Sequence, residues 1–332
     1  MPPLRHKVNK SVPFILLLCL WTAVALSGCA ARTENVFFNT DCCIEINSSG
    51  AAKKAKEIEK LLERLESLLS TSVADSDVAK VNAAPAGVPV HVGEDFALLY
   101  TRSLALHQAH PSFNPFIFPL VELWKFSPDT FTMHPESIPE EDAVASLLPL
   151  CKAENFSFDE RTNTITKRNG GAKLDFGAIA KGYAADLAAQ TAEKNYVVNI
   201  GGTLKTDRRI SVAVTSPRGS GYAASFILDN GATATSGDYE RYYIYNGTRY
   251  SHILDTSGYP AGLHADNPII SVTVVGAEAW LCDALSTLLF LEGAALRDET
   301  ESLGYSALIL TEDTYCVIGD VHFDILEPRQ AI

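Results

Sequence analysis

Two oxygen-bearing side chains stand one helical turn apart in "GAEAWLCDALSTLLFLEG", residues 276–293: the carboxylate of Asp283 and the hydroxyl of Thr287. Trp280, Leu281, Ala284, Leu285, Leu288, Leu289 and Leu291 make this helix apolar almost all round, which predicts burial. A lone ionised carboxylate is expensive there, so Asp283 is protonated, paired with a cation or bound to a metal. With Thr287 four residues on, and so on the same face, the pair offers the hard oxygen ligands that Mg²⁺ prefers. A second stretch, "KLDFGAIAKGYAAD" (173–186), reads as an extended segment, a glycine turn and a helix start, matching neither GxGxxG nor a P-loop. Asp175 there suits a helix cap or a ligand contact, and Lys181 suits a solvated face or an anionic group. A third, "YSHILDTSGYP" (250–260), ends a strand with His252 and Asp255. An imidazole can take a hydroxyl proton near neutral pH, although a histidine at a strand end is also a common structural element. In "TSGDYERYY" (235–243), Thr235, Ser236 and Asp238 read as turn chemistry.

These groups need a scaffold. Ile58, Leu61, Leu62, Leu65, Leu68 and Leu69 recur at helical spacing and predict an amphipathic helix. Before it, "NVFFNTDCCIEI" reads as one strand, with Cys42 and Cys43 on opposite faces, and after it "DSDVAKVNAAPAGVPVHV" reads as turn and strand. "EDFALLYTRSLALHQAH" and "EEDAVASLLPLC" are helical, whereas "PSFNPFIFPLVELW" suits an irregular core segment or a wall for a flat ring. The second half is rich in strands separated by Gly, Asn and Pro, with a hairpin at Asn246-Gly247 and helices over 179–193 and 277–292. Strands and helices without regular βαβ alternation predict an α+β fold.

At the N-terminus, Arg5, Lys7 and Lys10 precede an apolar run from Val12 to Leu26 that is too short to span a bilayer comfortably. Leu26-Ser27-Gly28-Cys29 resembles a bacterial lipoprotein processing box, which implies a signal peptide over 1–28 and a lipidated Cys29. Residues 29–35 then read as a tether. The expected product is an exported bacterial lipoprotein held on a membrane surface, periplasmic or outer, through Cys29. The whole chain carries a net charge of −13, which becomes −16 when the three cations of the signal leave. So acidic a body disfavours nucleic acid as a partner and implies that a bound polyphosphate needs a cation. Of the seven cysteines, the five beyond Cys29 show no CxxC spacing, so neither a disulfide framework nor a zinc site is signalled.

In order, "LDFGAIAKGYAAD", "NIGG", "TSGDYERYY…NGTRYSHILDTSGYP" and "VTVVGAEAWLCDALSTLLFLEG" resemble the ApbE family of FAD:protein FMN transferases, with "DSDVAKVN" and "FNPFIFPLVELW" fitting more loosely. The resemblance implies an ApbE-like domain over 36–325, with mixed and antiparallel sheets, flanking helices and two closely associated lobes. It implies a metal site at Asp283, Thr287 and the carbonyl of Ala178, with Ser286 as a further backbone oxygen. FAD contacts fall on Thr40, Ser112, Phe113, Asn114, Asp175, Lys181 and the backbone of Ile253, and His252 is the base. Asn114 replaces a usual acid, "NTD" at 39–41 replaces a Met-Gly-Thr type of start, and "LDTSGYP" lacks the usual proline. The implied activity is Mg²⁺-dependent transfer of FMN from FAD to a Ser or Thr hydroxyl of a flavoprotein subunit in a membrane redox complex, releasing AMP. Mg²⁺-dependent FAD pyrophosphatase activity and non-catalytic FAD binding are the alternatives.

Overall fold

The computed structural model describes residues 30–332. Its centre is a ten-stranded sheet in which nine strands lie side by side in chain order: Ala31–Phe37, Thr40–Ile46, Tyr196–Ile200, Thr203–Thr215, Tyr222–Gly237, Ile269–Gly276, Ser306–Thr311, Thr314–Ile318 and Gln330–Ala331. All neighbours on this path are antiparallel except the last pair, and Phe323–Ile325 pairs with the first half of Tyr222–Gly237. Pro89–His91, Phe156–Asp159 and Thr164–Lys167 form a small second sheet, and Tyr242–Tyr245 with Thr248–Ser251 a hairpin. The expected α+β class holds.

One face of the large sheet is covered by helices. Ala51–Leu69 buries Ala51, Ala55, Ile58, Leu62, Leu65 and Leu69, the period-3.6 stripe that its sequence predicts. Beside it lie Glu94–Ala109, Ala180–Ala192 and Ala279–Glu292, contributing Phe96, Leu99, Ala184, Ala188, Leu285 and Leu289 to the main core. A separate cluster that includes Val214, Phe226, Ile270, Leu308 and Phe323 lies apart from this core. A third gathers Leu120, Trp124, Phe126, Tyr243, Tyr250 and Leu254, with Tyr243 stacked between Phe126 and Tyr250 at 5.2 and 5.5 Å. This smaller body joins the aromatic segment to the hairpin, and both are needed to enclose the site.

Local chemistry departs from the sequence reading in four places. "NVFFNTDCCIEI" is two strands, because Phe38 and Asn39 both take positive φ and form a two-residue reversal of the I′ kind. The expected tether is ordered from Ala31, every residue of Ala31–Phe37 being paired to Thr40–Ile46. "DSDVAKVN" contains a helix, Asp77–Ala83, whose first turn is capped by Ser76 Oγ accepting from Ala79 N–H at 2.9 Å. Thr235 and Ser236 sit inside a strand rather than a turn, and Asp238 faces Arg218 in a two-pronged ion pair. Asn246-Gly247 makes the expected hairpin reversal, and Cys42 is buried while Cys43 is half-buried. Among the described residues the cysteines are all free. The signal peptide and Cys29 lie outside the described residues.

Candidate active site

A cleft of ≈ 510 Å³ opens between the main core and the smaller aromatic body. Thr40, Ser112, Phe113, Asn114, Asp175, Ala178, Lys181, His252, Ile253, Asp283 and Thr287, far apart in sequence, all line it. Ser286 does not: its hydroxyl turns back to the carbonyl of Asp283 and to Ser236 Oγ, both at 2.8 Å.

Asp283 is 3% exposed and is paired rather than isolated. Its Oδ1 lies 3.1 Å from Lys181 Nζ and accepts from Thr203 Oγ1 at 3.4 Å, while Oδ2 accepts from the backbone N–H of Gly182 at 3.0 Å. These contacts require the helices Ala180–Ala192 and Ala279–Glu292 to touch. Gly182 permits this, since a Cβ there would stand 2.2 Å from Ala279 O. Asp186 fixes the same crossing by accepting from the N–H groups of Ala279 and Trp280 at 3.0 and 2.9 Å, which caps the second helix.

The donor set suits a hard cation. Asp283 supplies a carboxylate, and Thr287 a hydroxyl whose neighbour is Ser236 Oγ at 3.2 Å. The carbonyl of Ala178 accepts no backbone hydrogen bond among the described residues, because the Gly182 amide is turned to Asp283 instead. These residues border one cleft, and their oxygens, with no sulfur or nitrogen among them, are donors that a hard cation such as Mg²⁺ would accept and zinc would not favour.

In the same cleft, His252 donates from Nδ1 to the carbonyl of Arg241 at 3.1 Å, and that carbonyl also accepts the His252 backbone N–H at 3.0 Å. The tautomer follows from the acceptor: Nδ1 carries the proton, and Nε2 is the free lone pair. Burial, reinforced by the Arg241 and Lys181 cations, pushes the imidazole down to about 3. Asp255, by contrast, closes its own turn, accepting from Ser257 N–H at 2.8 Å and donating its own N–H to Tyr259 O at 2.8 Å. It is structural.

The remaining residues expected to contact FAD divide by what they have free. Asp175 accepts from Gly177 N–H at 2.8 Å and is raised above the usual carboxylate range by burial. Asn114 has both ends of its amide on main chain, accepting from Phe116 N–H at 2.9 Å and donating to Cys151 O at 3.0 Å, so it shapes the wall. Ser112 donates its hydroxyl to Glu292. Thr40 packs against Gly201, where a Cβ would stand 2.5 Å from its side chain. The carbonyl of Ile253 accepts from Ala261 N–H at 2.8 Å. Phe113 is buried, and together with Ile117, Phe118, Phe126 and Phe131 gives the cleft an apolar side. The aromatic stretch is therefore both core and wall.

Two charged lining residues escaped the sequence reading, Glu240 and Arg241. Burial raises the Glu240 carboxyl and lowers the Arg241 guanidinium, and Arg241 is anchored by donating from Nη1 to Phe126 O at 2.6 Å. Their signal in the sequence is the "YER" that follows Asp238, an adjacent pair of opposite charges.

An ApbE family profile matches residues 38–308. The chain belongs to the ApbE family. An FAD:protein FMN transferase of Klebsiella pneumoniae is 34% identical over 261 residues, covering 74% of this chain and 79% of that relative. The FAD:protein FMN transferase of Treponema pallidum is 28% identical over 339 residues, 90% of each chain. Among solved structures, the ApbE protein of Thermotoga maritima superposes with a TM-score of 0.77 at 30% identity, covering 85% of this chain and 94% of its own. In this ApbE-family chain the late-helix oxygens, the "DFGAIAKG" turn and the strand-end histidine are thus gathered by an ApbE fold.

Proposed function

We propose that this chain transfers the FMN half of FAD to a serine or threonine hydroxyl of an acceptor flavoprotein, releasing AMP. One observation carries the reading: a neutral imidazole with Nε2 free shares a cleft with the oxygen set of Asp283, Thr287 and Ala178. The apolar side of the cleft suits a flavin ring, and Lys181 and Arg241 are cations available to a pyrophosphate. Asp175, Glu240 and Asp283 outnumber those cations, which explains why a bare polyphosphate would be poorly held. Asp283, Thr287 and the Ala178 carbonyl would hold Mg²⁺, which would supply charge neutralisation at the pyrophosphate.

The chain's own groups do the rest. Nε2 of His252 accepts the proton of the incoming hydroxyl as its oxygen bonds to the FMN phosphorus, and the bond from that phosphorus to the AMP oxygen breaks. The Arg241 carbonyl holds the imidazole in the tautomer this needs and accepts the Nδ1 hydrogen bond of the imidazolium that forms. Lys181, already within 3.1 Å of Asp283, offsets developing charge at the leaving side. The acceptor is proposed to be a subunit of a membrane redox complex, reached by an exported enzyme anchored through a lipidated Cys29.

The test is a product count. The purified domain is incubated with FAD, Mg²⁺ and a peptide bearing a Ser/Thr acceptor, then assayed for fluorescent label, AMP and free FMN. Labelled peptide and equimolar AMP are expected. Free FMN without label would replace this reading with FAD pyrophosphatase, and intact bound FAD would leave only a binder.

A further inference from the structure

The turn that presents Asp175, Ala178 and Lys181 hangs from a segment, residues 172–176, that belongs to no strand or helix. Its main-chain groups therefore need partners from elsewhere. Asn82, on the helix Asp77–Ala83, pairs with Leu174 as a neighbouring strand would: Oδ1 accepts the Leu174 N–H and Nδ2 donates to the Leu174 carbonyl, both at 2.8 Å. Lys167 sits behind it, 1% exposed, donating from Nζ to Asn82 O at 2.7 Å and to Gly170 O and Ala172 O at 2.9 Å each. No carboxylate pairs with Lys167 among the described residues. A buried ammonium without a counter-ion is a costly group, and here three carbonyl dipoles are its only compensation. Downstream, Asp175 N–H donates to Pro115 O at 2.9 Å. Between these anchors, Lys173 reaches the other way to Glu122 at 2.6 Å. Neither Asn82 nor Lys167 lines the cleft.

We propose that Asn82 and Lys167 are positioning residues for the nucleotide side of the site, fixing through Ala172 and Leu174 the turn that offers Asp175, the Ala178 carbonyl and Lys181. This rests on the reading that the cleft takes FAD. A ligand-binding group must be held within roughly 0.5 Å to act, and a segment outside the sheets gets that precision only from such clamps. Because His252 hangs on the hairpin side, the clamp governs affinity for the pyrophosphate-bearing substrate more than the chemical step.

The variants are Asn82→Ala and Lys167→Met, with Leu228→Ala, in the cluster apart from the main core, as a control of comparable thermal destabilisation. Each is measured for FAD affinity by flavin fluorescence with Mg²⁺, for kcat at saturating FAD, and for hydrogen exchange of the 176–181 amides. Expected for both clamp variants is an FAD Kd raised about tenfold or more, a proportionally smaller fall in kcat because the same turn carries Lys181, and faster exchange confined to the turn. The control should keep the parent's Kd. Should Asn82→Ala not yield folded protein, Asn82→Asp keeps the volume and an acceptor for Leu174 N–H but turns a charged acceptor oxygen toward Leu174 O, so it breaks that half of the clamp and should move all three readouts the same way. Clamp variants that match Leu228→Ala in Kd and exchange overturn the inference. A parent that binds no FAD overturns the reading beneath it and the inference with it.

Discussion

His252 shows how one main-chain contact decides the chemistry available to a side chain. With Nδ1 donating to Arg241 O, the imidazole offers a single lone pair, and with its pKa lowered to about 3 from the ordinary 6.5 it is unprotonated throughout the neutral range. A histidine so weakly basic is a poor proton acceptor in the free enzyme. Burial is the larger cause of that depression and the Arg241 and Lys181 cations the smaller, so the pyrophosphate of the proposed substrate, placed beside those cations, would relieve only their part of it. The sign for stability follows. Between pH 6.5 and about 3 the unfolded chain binds a proton at this position that the folded chain does not, so stability is lost as pH falls through that window. The His252 ring resonances of the substrate-free protein should therefore stay in the Nδ1–H form from pH 8 to pH 5. A titration midpoint near 6.5 would remove burial as the controlling effect. In kinetics, His252→Ala should keep FAD affinity while slowing turnover by about 10² or more. Unchanged turnover would take His252 out of the mechanism.

Elements set what those residues can reach, and the closest approach in the site is the crossing of Ala180–Ala192 with Ala279–Glu292. Gly182 lies at the contact, its amide on Asp283 and its missing Cβ leaving room for Ala279 O and the Trp280 backbone. Gly182→Ala places a methyl group 2.2 Å from a carbonyl oxygen, so the helices must part. Overpacking of this kind costs about 1–3 kcal/mol. We expect a lowered Tm together with a higher Mg²⁺ requirement, because separation withdraws Asp283 from Lys181 and from the Ala178 carbonyl. A variant with the parent's Tm and Mg²⁺ midpoint would show that the crossing is looser than described. The same crossing marks the limit of what the sequence discloses. The apolar periodicity of Ala51–Leu69 and Ala279–Glu292 announces helices, and Asp283 within such a helix announces a special environment, because both follow from local pattern. The partnership of Asn82 with Leu174, 92 residues apart, has no local signature. Nor does the strand Ala31–Phe37, whose exposed, mixed polar sequence reads as linker until Thr40–Ile46 supplies its hydrogen bonds. Asn114 was legible as a cleft residue from the family resemblance, but the engagement of its amide by the main chain was not, since Cys151 comes from a different element.

At the scale of the molecule, the acidic body and the proposed lipoprotein N-terminus bear on where an acceptor would be met. A chain of net charge −13 is repelled by anionic headgroups, so surface charge alone does not favour a membrane, and the proposed attachment rests on a lipid anchor. Cys29 supplies the attachment in our reading, and the strand Ala31–Phe37 follows after a single intervening residue, Ala30. At about 3.3–3.6 Å per residue, Ala31 then lies no more than about 7 Å from the anchored position, too short a leash for free reorientation. The strand leads to the Phe38-Asn39 reversal, and both of those residues line the cleft. Phe38 lies nine residues on from Cys29, and at about 3.4 Å per residue that mouth is about 30 Å along the chain from the proposed anchor. Anchoring, on this proposal, would act on encounter with a membrane-borne acceptor and leave the chemistry untouched. Cys29→Ala, expressed with an intact signal, should move the protein from the membrane to the soluble fraction and lower labelling of a membrane acceptor in cells. The purified variant should label a soluble acceptor peptide at the parent's rate. A variant that stays with the membrane would sink the role of Cys29, and one that is released yet labels the membrane acceptor undiminished would show that the short leash has no part in delivery.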